Sequence, residues 1–350
     1  MQDRRKSAKL AIVGGGAAGM FAAAVAADLK LPCVLIERKA RLGSKVLMTA
    51  NGRCNFTKDV SPDDFLKEVG PAASWVARAV RECPPRRVIS GFRSLNVPLR
   101  RMADGRMFPA DGKASTIVHA FGDLLRDEGV PIVVNCPVRS VRKAGCGFVV
   151  ETSAFDLEAE NVLIATGGAS YPKTGSVGDG QKFARALGHE IVPLRPGLIG
   201  METDDRRITS LAGRRYEDGR AKVLSPDGRT LFDYRGEVDC ESFGLSGAAV
   251  YNCQRYIQHA GLKDFRIEVW FGRERLEFGN LRPRPLKEAI VTIGGVSLDD
   301  VDPLTMQSRK VPGLYFAGEV LDIDGPTGGY NLTLAFATAR KAVVSCAAKT

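Results

Sequence analysis

A glycine-rich turn behind a short apolar strand constrains this chain more than any other feature. Leu10–Val13 form the strand, and Gly14, Gly16 and Gly19 follow it with the spacing of a dinucleotide-binding fingerprint. The first glycine allows a tight turn, the second lets the backbone approach a pyrophosphate, and the third lets the next helix pack close to the strand. The sequence therefore predicts a Rossmann-type unit with a pyrophosphate at a helix N-terminus.

The residues behind the turn continue this pattern. An alanine-rich helix is expected over 17–29, and a second apolar strand over 34–37 ends in Glu37. Glu37 lies 18 positions after Gly19, where an acidic side chain binds the hydroxyls of an adenosine ribose. Strand, helix, strand and acid together favour a nucleotide site over an accidental glycine pattern.

The same segment admits a second interpretation, in which residues 1–27 are a secretory signal peptide. Arg4-Arg5-Lys6 would be its basic region and Ala24-Val25-Ala26 its cleavage site. The glycine turn interrupts the apolar core that such a peptide needs, and cleavage would separate the strand at 34–37 from its partner. The nucleotide site is the preferred interpretation.

Composition and charge limit the classes of protein. The 350 residues are 44% hydrophobic and 26% charged, typical of a soluble globular chain, and no apolar run approaches the roughly 20 residues of a membrane span. The net charge is +10, but the densest basic groups, 4–6 and 273–284, are short. We therefore expect an anionic small-molecule substrate rather than a nucleic-acid partner, and no membrane partner.

Cysteine and histidine usage argues against a metal site. The eight cysteines contain no C-x-x-C pair and the three histidines are isolated, so ligand spacing for a metal is absent. A reducing cytoplasm is the simplest compartment for such a chain. Disulfide reductases need a closely spaced cysteine pair beside the cofactor, and Cys54 stands alone there, which excludes that class.

The pattern along the chain predicts an α/β fold with an insertion. Residues 1–192 and 288–350 alternate helices and strands, as expected of one discontinuous Rossmann-like domain. Residues 193–287 read instead as short strands, including a hairpin around the Ser225-Pro226-Asp227-Gly228 turn, and predict an inserted β-rich substrate domain. Peripheral helices are expected before and after a boundary at Pro84-Pro85.

Three strand-to-glycine junctions stand together in this sequence: 14–19, 166–168, and 318–319 with 328–329. This set resembles the two-dinucleotide-binding-domain flavoproteins of the glutathione reductase and fumarate reductase type. Within them, the chain is similar to the bacterial BaiN/YhiN-like (aminoacetone oxidase family) proteins. The resemblance rests on blocks at 51–55, 104–109, 166–175, 244–247, 291–296, 318–322 and 328–332.

The resemblance implies bound FAD. It assigns the pyrophosphate to the first glycine turn, the adenine to the backbone of Val138, the ribityl chain to Gly318-Glu319, and the flavin ring to the loop at 51–55 and to the helix N-terminus at 330–332. The complete set of cofactor-binding residues that it implies is Gly14, Gly16, Ala17, Ala18, Gly19, Glu37, Arg38, Lys45, Asn51, Gly52, Arg53, Asn55, Val138, Thr166, Gly167, Gly168, Gly318, Glu319, Gly328, Gly329, Tyr330, Asn331 and Leu332.

The implied activity is that of an FAD-dependent oxidoreductase. Electrons would pass between NAD(P)H or a small organic substrate and an organic acceptor or oxygen, and NAD(P)H would bind transiently because no second fingerprint exists. Arg53 is a candidate anion clamp, Tyr171 a candidate proton donor, and Cys54 either a flavin neighbour or a small buried residue. Two rivals remain open: a flavin-dependent protein that modifies tRNA or another nucleic acid, and a flavin-binding protein without turnover.

One departure from the family concerns residues 271–289. Relatives carry a further helical segment before the block at 291–296, and here about twenty residues bridge that gap, so the segment is expected to be shortened. Gly247-Ala248 also stands where Gly-Pro is expected. Substrate, electron donor and oligomeric state are left open by the sequence.

Overall fold

The computed structural model describes residues 5–272 and 274–349, without the side chains of Arg5 and Lys6. The chain divides into two compact units. Unit 1 contains residues 1–193 and 294–350, and unit 2 contains residues 194–293. The chain crosses between them at 193–194 and 293–294.

The helices, numbered in chain order, are α1 (Ala17–Asp28), α2 (Pro62–Val69), α3 (Ala73–Glu82), α4 (Pro85–Ser94), α5 (Ala114–Asp127), α6 (Asp179–Ala186), α7 (Arg207–Leu211), α8 (Ala248–Ala260) and α9 (Tyr330–Ala347). The strands are β1 (Arg5–Val13), β2 (Cys33–Ile36), β3 (Thr57–Lys58), β4 (Leu99–Arg101), β5 (Arg106–Pro109), β6 (Ile132–Val133), β7 (Val138–Ala144), β8 (Gly147–Thr152), β9 (Asp156–Ile164), β10 (Ile191–Gly197), β11 (Met201–Glu202), β12 (Arg215–Tyr216), β13 (Arg220–Leu224), β14 (Thr230–Arg235), β15 (Val238–Glu241), β16 (Gly244–Ser246), β17 (Arg266–Phe271), β18 (Glu274–Phe278), β19 (Arg282–Pro283), β20 (Val291–Val296) and β21 (Leu314–Phe316).

Unit 1 is built on a twisted sheet in the order β6-β2-β1-β9-β8-β7, with β21 also paired to β9. β6, β2, β1, β9 and β21 run parallel, whereas β8 and β7 form an antiparallel extension. The end of β1, residues 10–13, is buried on both faces, as a central parallel strand requires. This arrangement confirms the predicted α/β class with a Rossmann-type core.

Helices α1 and α9 pack against each other, and aromatic side chains fill the space around them. Phe21 of α1 contacts Phe336 of α9 with ring centroids 4.9 Å apart, and Phe121 of α5 and Phe92 of α4 complete the cluster. Such pairs add to the hydrophobic free energy of burial. The cluster fixes the N-terminal ends of α1 and α9 relative to the sheet.

Unit 1 contains a second, small sheet in the order β3-β5-β4, and its strand β4 follows α4 in the chain. Phe56, which precedes β3, packs its ring 4.8 Å from Phe92 of α4. This contact ties the preceding loop, residues 50–55, to the helical layer.

Unit 2 is rich in β-structure and has its own apolar core. Its two sheets have the orders β12-β15-β16-β11-β19 and β14-β13-β17-β18, and α8 packs on them. Core residues such as Val223, Val250 and Ile267 are fully buried. The predicted β-rich insertion is confirmed. Its role as a substrate domain, and the boundaries 192/193 and 287/288, stay predictions.

The region expected to lack a family helix, residues 271–289, forms the β17–β18 hairpin and the short strand β19. The described residues of this region, 271–272 and 274–289, contain no α-helix. In the part of the chain that the structure describes, no helix is long and apolar enough to cross a membrane.

Candidate functional site

The three strand-to-glycine junctions meet at one edge of the main sheet. Val13 at the end of β1 is in register with Ile164 of β9, and Phe316 of β21 is paired with the same Ile164. The glycines that follow these parallel strands therefore begin side by side. Ligands of α/β folds bind in the crevice at the carboxyl ends of such strands.

The glycine turn after β1 shows why each glycine is needed. Gly14 has φ +107°, and a Cβ there would lie 2.6 Å from the carbonyl oxygen of Ala165. A Cβ at Gly19 would overlap the carbonyl oxygen of Gly14. At Gly16, by contrast, an added Cβ meets nothing within 4 Å. The first and third glycines therefore serve the fold, whereas the second leaves space for a ligand.

A cleft opens above this turn, with about 880 Å³ of empty space, part of it open to solvent. Many of the predicted cofactor residues line it: Gly14, Gly16, Ala17, Ala18, Glu37, Arg38, Lys45, Val138, Thr166, Gly167, Gly318 and Glu319. The N-terminus of α1 opens into the cleft, and Gly16 offers no side chain to cap it. An anionic group is thus favoured at this point.

Glu37 is held rigidly at the rim. One carboxylate oxygen accepts the backbone N–H of Gly15 at 2.7 Å, and the other accepts that of Lys39 at 2.7 Å. Burial raises the pKa of Glu37, while the two N–H donors act in the opposite direction. Each oxygen keeps a further lone pair for a ligand hydroxyl, as the binding of a ribose requires.

Thr166 lines the cleft but has an unsatisfied side-chain hydroxyl. Its Oγ1 is buried and has no hydrogen-bond partner among the described residues. This oxygen lies against Gly180 of α6, since a Cβ there would be 2.1 Å from it, so its lack of a partner concerns the packing of α6 on the sheet.

A charged network lies further along the cleft. Lys45 Nζ is 2.8 Å from Glu319 and donates to Ser170 Oγ at 2.6 Å, and Ser170 in turn donates to Glu319 at 3.2 Å. Lys45 comes from the segment after β2 and Glu319 from the turn after β21. The network therefore links two of the elements that form the cleft.

A second ion pair closes the rim. Arg38 Nη1 lies 2.6 Å from Asp179 at the start of α6 and also donates to the carbonyl oxygen of Gly175 at 3.5 Å. A Cβ at Gly175 would lie 3.0 Å from the Arg38 side chain, so the 174–176 loop rests on this arginine. The sequence signal for Asp179 is the Gly178-Asp179-Gly180 helix start, which shows the helix but not its ion pair.

Other residues of the cleft were missed by sequence reasoning. Most are small or apolar residues without a signal of their own, and Gly175 and Asp179 are marked only as parts of a loop and a helix start. The complete set is Val13, Ile36, Cys136, Ala165, Thr174, Gly175, Ser176, Asp179, Phe183, Ala317 and Ala335.

Eleven of the predicted cofactor residues do not line the cleft. Gly19 packs in the glycine turn, and the Gly168 carbonyl oxygen accepts from Ser176 Oγ and Gly178 N, whereas the other nine, at 51–55 and 328–332, form a second group.

The loop before β3 has left-handed backbone at Ala50, Asn51, Gly52 and Cys54, an unusual density for non-glycine residues. Asn55 Oδ1 is buried there without a partner among the described residues. Strained backbone and an unsatisfied amide oxygen are typical of a ligand site.

The start of α9 lies directly beside β3. A Cβ at Gly329 would lie 2.6 Å from the backbone of Thr57, and Lys58 Nζ lies 5.7 Å from the ring centroid of Tyr330. Asn331 does not point its side chain freely outward, since it accepts from Gly325 N at 2.8 Å and donates to Gly325 O at 2.9 Å. It organises the glycine loop, and the helix start has no side-chain cap.

The three catalytic candidates differ in setting. Arg53 is exposed, with its guanidinium 5.7 Å from the ring centroid of Phe108. Tyr171 is half-buried with φ +50°. Cys54 is fully buried, and burial raises its pKa to about 12, so the thiol stays protonated at neutral pH. A thiolate role for Cys54 is therefore disfavoured, and a small core residue is the better description.

Comparison with known proteins yields a family match over most of the chain. The family model described as HI0933-like protein Rossmann domain matches residues 8–345. The 3-dehydro-bile acid delta(4,6)-reductase of Clostridium scindens is 27% identical, over 94% of this chain and 97% of the relative. The ribosomal RNA dihydrouridine synthase of Escherichia coli is 27% identical, over 94% of this chain and 95% of the relative. The first alignment runs over 402 positions although this chain has 350 residues, so that relative contains segments that this chain lacks.

Solved structures share the fold. The 3-ketosteroid delta1-dehydrogenase of Sterolibacterium denitrificans matches with a TM-score of 0.60 at 14% identity, over 99% of this chain and 100% of the other. A quinol-fumarate reductase matches with a TM-score of 0.60 at 15% identity, over 99% of this chain and 72% of the other. At these identities the likeness concerns the fold alone.

Proposed function

Since this chain belongs to the family of HI0933-like proteins with a Rossmann domain, we propose that it is an FAD-dependent oxidoreductase that reduces a carbon–carbon double bond beside a carbonyl group. The observation that carries the cofactor assignment is the cleft at the common end of β1, β9 and β21. It combines an uncapped helix start, space above Gly16 and the Glu37 carboxylate held at the rim by two backbone N–H groups.

The residues of the cleft suit the parts of FAD in order. The α1 start and Gly16 hold the pyrophosphate, Glu37 the adenosine ribose, and the backbone of Val138 the adenine. Lys45 and Glu319, an ion pair that lines the cleft, would hold the ribityl chain. FAD, when bound, supplies hydride transfer at its isoalloxazine ring. The loop at 50–55 and the start of α9 orient that ring, and the N–H groups of α9 favour negative charge near it.

The reaction type rests on the names of the relatives. A delta(4,6)-reductase acts on ring double bonds of a 3-dehydro bile acid, and a dihydrouridine synthase saturates the double bond of uridine. Both changes add one hydride and one proton across a double bond that a carbonyl polarises. We assign the same class to this chain, with NAD(P)H as a transient donor and NAD(P)⁺ as the oxidised product.

Two side chains are proposed to act on the substrate. The Arg53 guanidinium, which is exposed, would hold an anionic or carbonyl oxygen of the substrate as charge develops there. Tyr171 is the candidate donor of the proton that accompanies the hydride. The cytoplasm is the proposed compartment, in keeping with described cysteines that are all free.

The first test is the visible absorption spectrum of the purified protein. A flavin spectrum that bleaches on anaerobic addition of NADPH or NADH is expected. Reoxidation by a conjugated enone would then identify the acceptor class. A protein without flavin, even after incubation with FAD, would contradict the cofactor assignment; flavin that stays oxidised would contradict the reductase direction and leave an oxidase or a silent binder.

A second candidate acts on uridine in RNA. Two relatives are named ribosomal RNA dihydrouridine synthases, at 27% and 25% identity over 94% and 95% of this chain. The assay is nucleoside mass spectrometry of ribosomal RNA after incubation with the reduced protein. Dihydrouridine formed only in the presence of NAD(P)H would favour this substrate over a small molecule.

A further inference from the structure

The chain contains, in addition to the short basic groups at 4–6 and 273–284, an arginine-rich segment in unit 1. Residues 83–103 contain five arginines and no aspartate, glutamate or lysine. They occur as two adjacent pairs and one single arginine, spread over sixteen residues, so no long run of adjacent charges reveals them. We call Arg86, Arg87, Arg93, Arg100 and Arg101 the arginine face.

The fold brings these five side chains to the surface of two adjoining elements. On α4, Val88, Ile89 and Phe92 are buried, and the opposite side exposes Arg86, Arg87 and Arg93. Four residues after α4, β4 begins, and its Arg100 and Arg101 are also exposed, although as neighbours on a strand they point to opposite faces of the small sheet. Seven residues separate Arg86 from Arg93, two helical turns, so both lie on one line of the helix.

Little of this charge is neutralised within the protein. Asp59 lies 2.9 Å from Arg101 and 3.9 Å from Arg86, so these two arginines, one from β4 and one from α4, lie close to the same carboxylate. Arg87, Arg93 and Arg100 have no ion-pair partner among the residues that the structure describes. These three guanidinium groups are therefore available to an external anion, which arginine can bind through its planar fork of donors.

Through Arg100, the arginine face adjoins the part of the site that we assign to the flavin. Arg100 is in register with Phe108 of β5, so both side chains lie on one face of the small sheet. Arg53 and Arg106 cover the same Phe108 ring at 5.7 and 5.9 Å. Arg53 belongs to the strained loop at 50–55. A polyanion on the arginine face would thus extend towards the loop that we assign to the flavin.

We propose that the arginine face binds the phosphate backbone of an RNA substrate and positions a uridine at the flavin. This rests on the second candidate function above. Arginine matches phosphate through a planar fork of donors and is preferred over lysine for such contacts. The exposed large apolar side chains of the described chain, Leu29, Met48, Val134 and Leu304, all lie outside 83–103, which argues against a membrane surface as the partner.

The test is RNA binding by the FAD-loaded protein, measured as fluorescence anisotropy of a labelled single-stranded oligouridylate at several KCl concentrations. The variant Arg87→Gln/Arg93→Gln/Arg100→Gln removes the three unpaired arginines. Each phosphate contact contributes about 0.7 to the slope of log affinity against log salt, so the slope should fall by about 2 and the affinity by roughly tenfold or more at low salt.

The matched control is Arg126→Gln/Arg185→Gln/Arg309→Gln, which removes the same charge from exposed positions elsewhere on unit 1. It should keep more of the wild-type affinity and slope than the first variant. Equal losses in both variants would mean a general effect of net charge and would overturn the proposal. Failure of the wild-type protein to bind the oligouridylate would also overturn the proposal. So would displacement of the bound oligouridylate by inorganic phosphate at an equal concentration of phosphate groups.

Bleaching of the flavin by NAD(P)H, measured on the same samples, separates this inference from the proposed function. Bleaching that is retained while RNA binding is lost supports the arginine face. If the triple variant loses RNA binding but NAD(P)H does not bleach the flavin of the wild-type protein either, the role of the arginine face is supported and the proposed reductase activity is rejected.

Discussion

Gly16 is the residue at which fold and ligand binding can be separated most cleanly. Its backbone, at φ −78° and ψ −165°, suits any residue, and an added Cβ meets no protein atom within 4 Å. Gly16→Ala should therefore fold with a melting temperature near that of the wild-type apoprotein. The new methyl group occupies the space for the pyrophosphate, so FAD affinity should fall by about tenfold or more, or about 1.4 kcal/mol. Fluorescence titration of the apoprotein with FAD measures this.

Gly19→Ala is the matched control, because its Cβ would overlap the Gly14 carbonyl oxygen. It should lower the melting temperature of the apoprotein itself. If Gly16→Ala were destabilised as strongly as Gly19→Ala, or bound FAD normally, the assignment of the pyrophosphate to Gly16 would be wrong.

His189 illustrates a buried group whose protonation the fold opposes. Its Nδ1 lies 3.0 Å from the Ala184 carbonyl oxygen and therefore donates, which leaves Nε2 to accept from Ser308 Oγ at 2.7 Å. The same Oγ already accepts the N–H groups of Lys310 and Val311. A proton on Nε2 would therefore point at an oxygen without a suitable lone pair. Burial lowers the pKa of His189, and Asp300 only partly offsets this.

The pH dependence follows from this direction. The folded state binds the proton less readily than the unfolded chain, whose histidine titrates near 6.5, so the stabilisation is present above about pH 6.5 and is lost as the pH falls. The difference in unfolding free energy between wild type and His189→Gln should shrink by up to about 1.4 kcal/mol per pH unit in that range. Thermal melts from pH 5 to 8 measure it; parallel curves would contradict the argument.

Asp239 also titrates in this range, because burial and Glu237 raise its pKa to about 6. Its effect on the pH dependence of stability is opposite to that of His189, but Asp239 is present in both proteins and cancels in the difference.

At this scale the sequence predicts residues that carry a local signature. Gly14, Gly16 and Glu37 have fixed spacings because turn geometry and strand length fix them, and the structure places all three at the cleft. Thr166 was found through its glycine neighbours. Asp179 was not, because its partner Arg38 is 141 positions away in sequence and nothing local encodes that pairing.

Among the elements, α6 contributes Asp179 and Phe183 to the lining of the cleft, and Asp179 is its charged residue there. Asp179 forms an ion pair with Arg38, and the 174–176 loop packs on that arginine. The ion pair therefore connects α6, the 174–176 loop and the segment after β2 at the rim of the cleft. Both side chains are about one-third or less exposed, at 34% and 26%, and the pair is weakened but not abolished by solvent. Asp179→Asn should raise the dissociation rate of FAD by about three- to tenfold, equivalent to roughly 1 kcal/mol.

Stopped-flow exchange of FAD against an excess of a flavin analogue measures that rate. Arg185→Gln is the control, since Arg185 is an exposed charge on the same helix that does not line the cleft. Equal rates for Asp179→Asn and wild type would show that the rim does not limit release.

The elements themselves follow closely from the sequence, and the differences have physical reasons. Pro84-Pro85 was predicted as a helix boundary, and it ends α3 at Glu82 and also starts α4, since proline is well suited to the first turn of a helix. β9 starts at Asp156, earlier than the apolar run at 161–166 suggests, because its first half pairs with β8 and alternates between buried and exposed residues. Such alternation is easily read as loop.

For the whole molecule, the sequence predicts the order of parts better than the surfaces they create. The return of the chain to αβ character near residue 290 reveals an insertion, because the hydrophobic period changes there. The arginine face escapes notice because its charges are spread over 86–101 and only α4 and β4 bring them together. Charge patterns that depend on tertiary placement are invisible to a search for adjacent basic residues.

The division into units leads to a last prediction, that FAD binding belongs to unit 1 alone. Every residue that lines the cleft falls within 13–183 or 317–335, all in unit 1. Pro193 and Gly294 lie side by side, because a Cβ at Gly294 would overlap the Pro193 carbonyl oxygen. A short glycine linker in place of residues 194–293 should therefore close the chain without strain.

The shortened protein should bind FAD within about tenfold of the wild-type affinity, that is, within about 1.4 kcal/mol. It should lose reduction of the double-bond substrate, since unit 2 is the proposed substrate domain. FAD titration and turnover of the same preparation measure both. A folded protein, by circular dichroism, that no longer binds FAD would place part of the cofactor site in unit 2, and undiminished turnover would remove unit 2 from the reaction.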